Sequence, residues 1–243
     1  MAELADAEDS KSSEVHPSCG FDSRLGHSPD LDLPVLNTSV IDTAPHKLST
    51  PFLAVIVPQQ GTLPASLVPL DQSSGGALTR AYAAGDVIGK KDEAVLLYPT
   101  GSATRILLVG IGKPGDLRRQ LRRAASIASK RARLAGAPKG ALFATPEAIG
   151  GLGTFAVAQV LAEGVGYGAW HYADLKQPPE DPKPKLESFE LLGLPHPKEA
   201  VEGFKELYLL ERLFQKRGES GLEGGLVLLS VVVCGHENQF DRL

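Results

Sequence analysis

A glycine-rich loop is the part of this sequence whose spacing most directly predicts chemistry. Gly110, Gly112 and Gly115 match the pattern G-x-G-x-x-G, with a predicted strand before the loop and a predicted helix after it. Such a turn directs backbone amides and the positive end of a helix dipole at a phosphate group, and Lys113 would add a positive charge. Gly110, Gly112 and Lys113 are therefore the candidate ligand-binding residues.

Two features of the same loop favour a simpler interpretation, a tight strand-to-helix connection. Pro114 removes one backbone amide from the loop. The acidic residue that a dinucleotide site places about 20 residues further on is missing, because the following segments are basic or apolar. We interpret the loop as a connection and keep phosphate binding as the alternative.

Metal-binding and nucleophilic motifs are incomplete in this sequence. His16 with Cys19, and Cys234 with His236, could each supply two ligands, whereas a structural zinc site takes four. The segment 218–221 reads G-E-S-G and misses the nucleophile motif G-x-S-x-G by one residue. The sequence therefore predicts no catalytic residue and no metal-binding residue in this chain.

A predicted helix over residues 116–135 is strongly basic. Its cationic side chains are Arg118, Arg119, Arg122, Arg123, Lys130, Arg131 and Arg133. Such a surface could contact nucleic acid or an acidic partner. The helix has no interleaved aromatic residue and the chain carries a net charge of −4, so we interpret it as the solvated face of an amphipathic helix. Nucleic acid is not the expected partner.

The elements around these residues alternate between strand-like and helix-like patterns. Strands are predicted at 52–57, 94–98, 105–109, 141–144 and 189–194, helices at 77–84, 116–135 and 154–170, helical character at 197–217 and strand character at 226–233. Asp71 and Ser73 are candidate N-caps of the first helix, and Gly85 is its candidate stop. This alternation predicts an α/β fold with a mixed, mostly parallel sheet covered on both faces.

The helix over 154–170 has an unusual composition. Gly164 and Gly168 lie one turn apart, and each glycine costs about 1 kcal/mol in a helix interior. Two glycines on one face predict that another backbone element passes very close to this helix. The aromatic residues Tyr167, Trp170 and Tyr172 are predicted to cap the core.

Composition also predicts the domain bounds and the compartment. Residues 1–47 have no apolar period and are expected to be a mostly disordered tail, residues 48–196 to form the folded domain, and residues 197–243 to form a divergent helix and tail. Only two cysteines occur, which favours a reducing compartment. No export signal is visible, and the apolar stretch 225–234 is shorter than the ~20 residues that span a bilayer, so a cytoplasmic location without a membrane is expected.

A series of short motifs follows the chain in a characteristic order. They are Leu70-Asp71 with Gly75–Leu78, Gly85-Asp86 with Gly89–Lys91, Glu93–Tyr98, Arg105–Lys113, and Glu163-Gly164 followed by Tyr172–Lys176. Over about residues 50–203, their order and spacing resemble the N-terminal domain of leucyl (cytosol) aminopeptidases. The resemblance implies a three-layer α/β/α domain similar to macrodomains, in which the glycines serve turns and close packing.

The same resemblance implies what the chain lacks. Members of that family are hydrolases, metal-dependent proteases that remove N-terminal amino acids from peptides, and a larger C-terminal domain holds their two divalent cations (Mn or Zn). That domain includes a segment Asn-Thr-Asp-Ala-Glu-Gly-Arg, which this sequence does not contain. The resemblance thus implies a truncated, catalytically incompetent family member with a structural or assembly role, whose partners would be further copies of the chain or aminopeptidase subunits.

Two other functions remain open from the sequence. One is a macrodomain-like module that binds a nucleotide or ADP-ribose in the loop after Val109. The other is contact with DNA through the basic helix over 116–135.

Overall fold

The computed structural model describes residues 36–101, 103–170, 181–194 and 229–234. Its strands are β1 (Leu36–Ile41), β2 (Leu53–Val57), β3 (Ala94–Leu97), β4 (Ile106–Gly110), β5 (Lys139–Ala144), β6 (Ser188–Leu192) and β7 (Leu229–Cys234). Its α-helices are α1 (Val68–Ser73), α2 (Ala77–Ala83), α3 (Leu117–Leu134), α4 (Pro146–Ile149) and α5 (Thr154–Ala169). Short 3-10 turns cover Pro45–Lys47 and Ala65–Leu67.

The strands form one seven-stranded sheet in the order β3-β4-β2-β5-β6-β1-β7. The edge strand β3 is antiparallel to β4, and the other neighbouring pairs in the sheet are parallel. The predicted mixed, mostly parallel sheet is thus confirmed. We call the side where the parallel strands end the carboxyl edge and the side where they begin the amino edge.

Helices cover both faces of the sheet, and strand β2, which lies between them, is apolar at every position. In β2, Leu53, Val55 and Val57 face α1 and α2, whereas Ala54 and Ile56 face α3 and α5. All five side chains are fully buried, as expected for a parallel strand between two helical layers. The architecture is the predicted three-layer α/β/α sandwich.

Helix α2 begins at a buried carboxylate that lies outside the helix. Asp71 Oδ1 accepts hydrogen bonds from the backbone amides of Leu78 (2.9 Å) and Thr79 (3.0 Å), and Oδ2 accepts one from the Thr79 hydroxyl. Asp71 thus caps the first backbone amides of α2, as predicted, although it does not occupy the N-cap position. The N-cap position itself is Gly76, in a left-handed conformation, and the side chain of Ser73 instead donates to Leu70.

The two helices on the same face, α3 and α5, approach each other closely enough to touch through their backbones. A Cβ atom at Gly164 would lie 2.2 Å from the carbonyl oxygen of Arg122, and one at Gly168 would lie 2.1 Å from that of Ser126. Real Cβ atoms do not come this close to an oxygen, so only glycine fits at both positions. The close approach predicted from the glycine spacing is confirmed.

The sheet extends beyond the segments that the sequence predicted to be ordered. Strand β1 lies within residues 1–47, which were expected to be mostly disordered, and it pairs with β6 and β7. Its burial alternates, with Leu36, Thr38 and Val40 buried and Asn37 exposed. A half-polar strand of this kind depends on its neighbours for burial, which explains why its own composition did not indicate order. The remaining domain bounds stay predictions, and the helical character expected at 197–217 lies outside the described residues.

Candidate functional site

The glycine loop occupies the predicted position between a strand and a helix. Gly110 is the last residue of β4, and α3 begins at Leu117 after the N-cap Asp116, whose side chain accepts a hydrogen bond from the Arg119 amide at 3.2 Å. The loop lies at the carboxyl edge, where open α/β sheets bind their ligands.

The backbone amides of the loop donate to carbonyl groups of the same chain. The amide of Gly110 donates to Glu93 (2.9 Å), that of Ile111 to Val57 (3.1 Å) and that of Gly112 to Gly89 (2.9 Å). A phosphate-binding loop instead directs such amides at the ligand. These three donors are already used to join the loop to its neighbours.

Close backbone packing explains why glycine occupies these positions. A Cβ atom at Gly110 would lie 2.2 Å from the carbonyl oxygen of Lys90, and one at Gly89 would lie 2.1 Å from that of Pro58. Gly112 has φ +82°, a conformation that other residues rarely adopt. In this arrangement the glycines allow the loops after β2 and β4 to pack against the segment 86–93.

The three candidate ligand-binding residues are only partly brought together. Gly110 and Gly112 lie in the packed loops, whereas the side chain of Lys113 is exposed. The carbonyl of Lys113 accepts a hydrogen bond from Gln120 Nε2 at 2.7 Å, which fixes the backbone of the loop against the first turn of α3.

The crevice at the carboxyl edge is a topological switch point that the chain itself fills. The connection after β2 runs through α1 and α2 on one face, and the connection after β4 runs through α3 on the other. The segment 86–93 enters this crevice and is held there by Glu93, whose Oε2 accepts from the amides of Ile88 (2.8 Å) and Gly89 (2.6 Å). Sequence reasoning did not identify this role of Glu93, although the residue begins the motif Glu93–Tyr98.

A second acidic residue, further along the carboxyl edge, links two segments that are distant in the sequence. Glu147, in the first turn of α4, accepts hydrogen bonds from the hydroxyl (2.7 Å) and the amide (3.3 Å) of Ser66. Burial alone would raise the pKa of the Glu147 carboxyl, but these bonds and one from Thr145 outweigh it and leave the pKa below its usual range. The only sequence signal was a threonine followed by proline and glutamate, which is typical of a helix start.

The basic helix α3 turns most of its cations outward, and Arg133 is partly buried. Its buried positions are Leu121, Ala124, Ala125, Ala128, Ser129 and Ala132, and Leu117 is partly buried. Arg122 forms an ion pair with Glu163 at 2.5 Å, and Arg123 forms one with Asp92. The amphipathic interpretation of this helix is confirmed, and nucleic-acid contact stays untested.

The aromatic residues at the end of α5 do not cap the core. Tyr167 is 78% exposed and Trp170 is 45% exposed, so the prediction is wrong for both, and Tyr172 lies outside the described residues. Small residues on α5 bring its backbone against α3, which leaves no space for a ring between the two helices.

The described residues do not fit a metal cage. Within the described ranges, no group of three or more His, Cys, Asp or Glu side chains lies close enough to hold an ion. His16, Cys19 and His236 lie outside those ranges, and only the backbone of Cys234 is described. In the same part of the chain, no helix is both long and apolar enough to cross a bilayer.

Comparison with known proteins gives a consistent result. The family model described as "Cytosol aminopeptidase family, N-terminal domain" matches residues 54–179. The probable cytosol aminopeptidase of Pseudomonas aeruginosa (strain UCBPP-PA14) is 36% identical over 167 residues, which cover 67% of this chain and 33% of the relative. That of Azotobacter vinelandii is 35% identical over 127 residues, which cover 51% of this chain and 26% of the relative. The chain thus spans a third or less of these curated relatives.

Solved structures show the same fold. A tomato leucine aminopeptidase mutant superposes with a TM-score of 0.58 at 24% identity, covering 72% of this chain and 36% of that one. A Trypanosoma brucei macrodomain in complex with ADP superposes with a TM-score of 0.54 at 13% identity, covering 69% of each chain. At these identities the likeness establishes the architecture alone, and it confirms the macrodomain-like fold that was expected from the resemblance.

Proposed function

Since this chain belongs to the cytosol aminopeptidase family and carries its N-terminal domain, we propose that the domain is a non-catalytic, structural part of a metal-dependent leucyl aminopeptidase. Enzymes of this kind remove N-terminal amino acids from peptides. The domain would contribute to subunit assembly, with further copies of the chain or aminopeptidase subunits as partners. The cytoplasm is the proposed location, in keeping with the name of its relatives.

One observation carries this proposal: the carboxyl edge is closed by contacts of the chain with itself. The amides of Gly110, Ile111 and Gly112 donate to backbone carbonyls, and the segment 86–93 fills the crevice where a fold of this class binds small molecules. The donor set of the described residues also offers no acidic cluster for paired cations, which amide hydrolysis with two metals requires. In this proposal the two Mn or Zn ions would be held by the C-terminal catalytic domain that the family resemblance implies.

The direct test is an activity measurement on the purified chain. Leucine p-nitroanilide is offered with manganese or with zinc, and the P. aeruginosa cytosol aminopeptidase serves as the positive control. We expect no metal-dependent release of nitroaniline by this chain. Clear turnover that disappears with a chelator would contradict the proposal.

The assembly role requires a separate measurement. Light scattering coupled to size-exclusion chromatography gives the mass of the chain alone and of the chain mixed with an intact family aminopeptidase. A mass above that of one chain is expected in at least one of the two samples. A strictly monomeric chain that also fails to join the enzyme would count against a role in assembly.

The alternative function is the binding of a nucleotide or ADP-ribose at Gly110, Gly112 and Lys113. It is favoured by the shared fold, since a T. brucei macrodomain of TM-score 0.53 and 12% identity was solved in complex with ADP-ribose, but it rests on analogy. Calorimetry with ADP-ribose tests it, and no heat at millimolar ligand would eliminate it. The variant for this test is Lys113→Gln and not a substitution of Gly112, because Lys113 is exposed, whereas Gly112 has φ +82°.

A further inference from the structure

A cavity of about 350 Å³ lies at the amino edge of the sheet, at the opposite end from the glycine loop. Phe52 and Arg105 directly precede β2 and β4, and Tyr98 directly follows the antiparallel strand β3. The wall opposite these residues is the C-terminal end of α3, where Leu134 and Ala135 lie. The cavity therefore sits between the edge strand and the end of the long helix.

The floor of the cavity is apolar. Phe52 and Leu107 are fully buried there, and Ala94 and Leu96 on the edge strand are half-buried. Tyr98, which is 72% exposed, stands at the rim. Apolar surface of this kind gains free energy when a ligand removes it from water.

Three cations surround this floor. Arg105 Nη1 donates to the carbonyl of Ala135 at 3.3 Å, and Lys183 Nζ donates to the carbonyl of Leu134 at 3.0 Å. Arg131 is the third cation of the lining, and no Asp or Glu is among the described residues that line the cavity. The ion pairs in the described part of the chain use other cations, namely Arg122, Arg123 and Lys139.

Among the described residues that line the cavity, the charges do not balance. The carbonyl end of a helix carries only about half a negative charge, whereas Arg105, Arg131 and Lys183 carry three full positive charges. Arg105 also has five N–H donors, and the structure gives it one hydrogen bond, which is long. A partly buried cation of this kind is usually paired with an anion. Because no acid is among the described lining residues, a ligand that joins a negative charge to an apolar body would suit this cavity.

We propose that this cavity binds a small organic carboxylate with an aromatic or aliphatic body. The carboxylate would lie between Arg105, Arg131 and Lys183, and its body would cover Leu96 and Leu107. The volume falls within the range of about 300–1,000 Å³ that is typical of small-molecule sites. This site is independent of the proposed function in assembly, and it lies at the other end of the sheet from the alternative nucleotide site.

The experiment uses two probes with the same body and opposite charge. The full chain is titrated with phenylbutyrate and with phenylbutylamine by isothermal calorimetry at low ionic strength. The carboxylate is expected to bind and the amine is not, and raising the salt from about 20 to 200 mM should weaken binding of the carboxylate. Equal binding of both probes, or no heat from phenylbutyrate at millimolar concentration, would overturn the proposal.

Variants then locate the bound carboxylate. Arg105→Gln and Arg131→Gln are each expected to weaken phenylbutyrate binding roughly tenfold, the effect of losing one charge-assisted hydrogen bond. Ala94→Phe is expected to abolish binding by filling the floor while every cation is kept. Arg118→Gln, at the other end of α3, is the matched control and should bind like the unmodified chain. Unchanged binding in Ala94→Phe, or equal losses in Arg118→Gln and Arg131→Gln, would place the anion on the helix surface and refute the site.

Discussion

The two edges of the sheet are built in opposite ways. At the carboxyl edge, the backbone donors of the glycine loop are used by neighbouring carbonyls, and the acid Glu93 is paired with two amides. At the amino edge, the cations Arg105 and Arg131 flank an apolar cavity with no acid among its described lining residues. Strand direction alone therefore does not decide which edge of an α/β sheet is open to a ligand. The ligand site that we propose lies at the edge whose described cations have no acidic partner.

We expect the greatest loss of stability from a substitution that disturbs the packing of the carboxyl edge. In Gly110→Ala, the new methyl group would lie 2.2 Å from the Lys90 carbonyl oxygen, so we expect the free energy of unfolding to fall by about 3 kcal/mol. A Cβ atom at Gly61 would meet no other atom within 4 Å, and Gly61→Ala should change the same quantity by less than about 1 kcal/mol. Urea denaturation followed by circular dichroism measures both variants. Equal stabilities would mean that the carboxyl edge is loosely packed.

An intermediate effect compares one charged group at each edge. Glu93→Gln should lower the free energy of unfolding by roughly 1–2 kcal/mol, because it weakens two charge-assisted hydrogen bonds that hold the segment 86–93. Arg131→Gln should change it by less than about 0.5 kcal/mol, because an exposed cation that forms no ion pair with the described residues contributes little. Thermal unfolding at neutral pH ranks the two variants. A larger loss in Arg131→Gln would reverse the comparison.

The smallest effect at neutral pH concerns Tyr82 of α2, whose buried hydroxyl has no hydrogen-bond partner among the described residues. Tyr82→Phe should change the free energy of unfolding near pH 7 by less than about 0.5 kcal/mol. Burial, assisted by the nearby Glu93 carboxylate, raises the pKa of Tyr82 from 10.0 to about 12.

The raised pKa of Tyr82 predicts that the stability of the unmodified chain and that of Tyr82→Phe depend differently on pH. The folded state holds the phenol proton more tightly than the unfolded state, so the unmodified chain should lose stability as the pH rises from 10 towards 12. The phenylalanine variant lacks this group and should lose less over the same range. Urea midpoints of the two proteins at a series of alkaline pH values provide the measurement, and parallel curves would refute the assignment.

The parts of the fold that local pattern determines could be predicted from the sequence. The apolar runs of β2 and β4 and the repeat of Leu121, Ala124 and Ala128 in α3 report burial directly. The glycine pair of α5 correctly indicated a close backbone neighbour, because a costly residue type at helical spacing requires a compensating contact.

The predictions that failed concern features that depend on residues distant in the sequence. Strand β1 becomes ordered by pairing with β6 and β7, far along the sequence, and its alternating polar residues do not reveal this. The pattern of the loop around Gly110 is the same whether its amides are free or paired with the segment 86–93. Tyr167 is exposed although α5 is otherwise largely buried, because the residue type alone does not show which face of the helix meets the core.

The contact between α3 and α5 has a consequence for how the domain opens. The carbonyl oxygens of Arg122 and Ser126 lie against the backbone of α5 at Gly164 and Gly168. The central turns of one helix therefore cannot unfold locally without exposing the backbone of the other helix to solvent. Their central amides should therefore exchange hydrogen with solvent at one common, slow rate, as a single cooperative unit. The short helices α1 and α2 lie on the other face of the sheet and make no such backbone contact with α3 or α5. The amides on the two faces can therefore differ in their protection from hydrogen exchange.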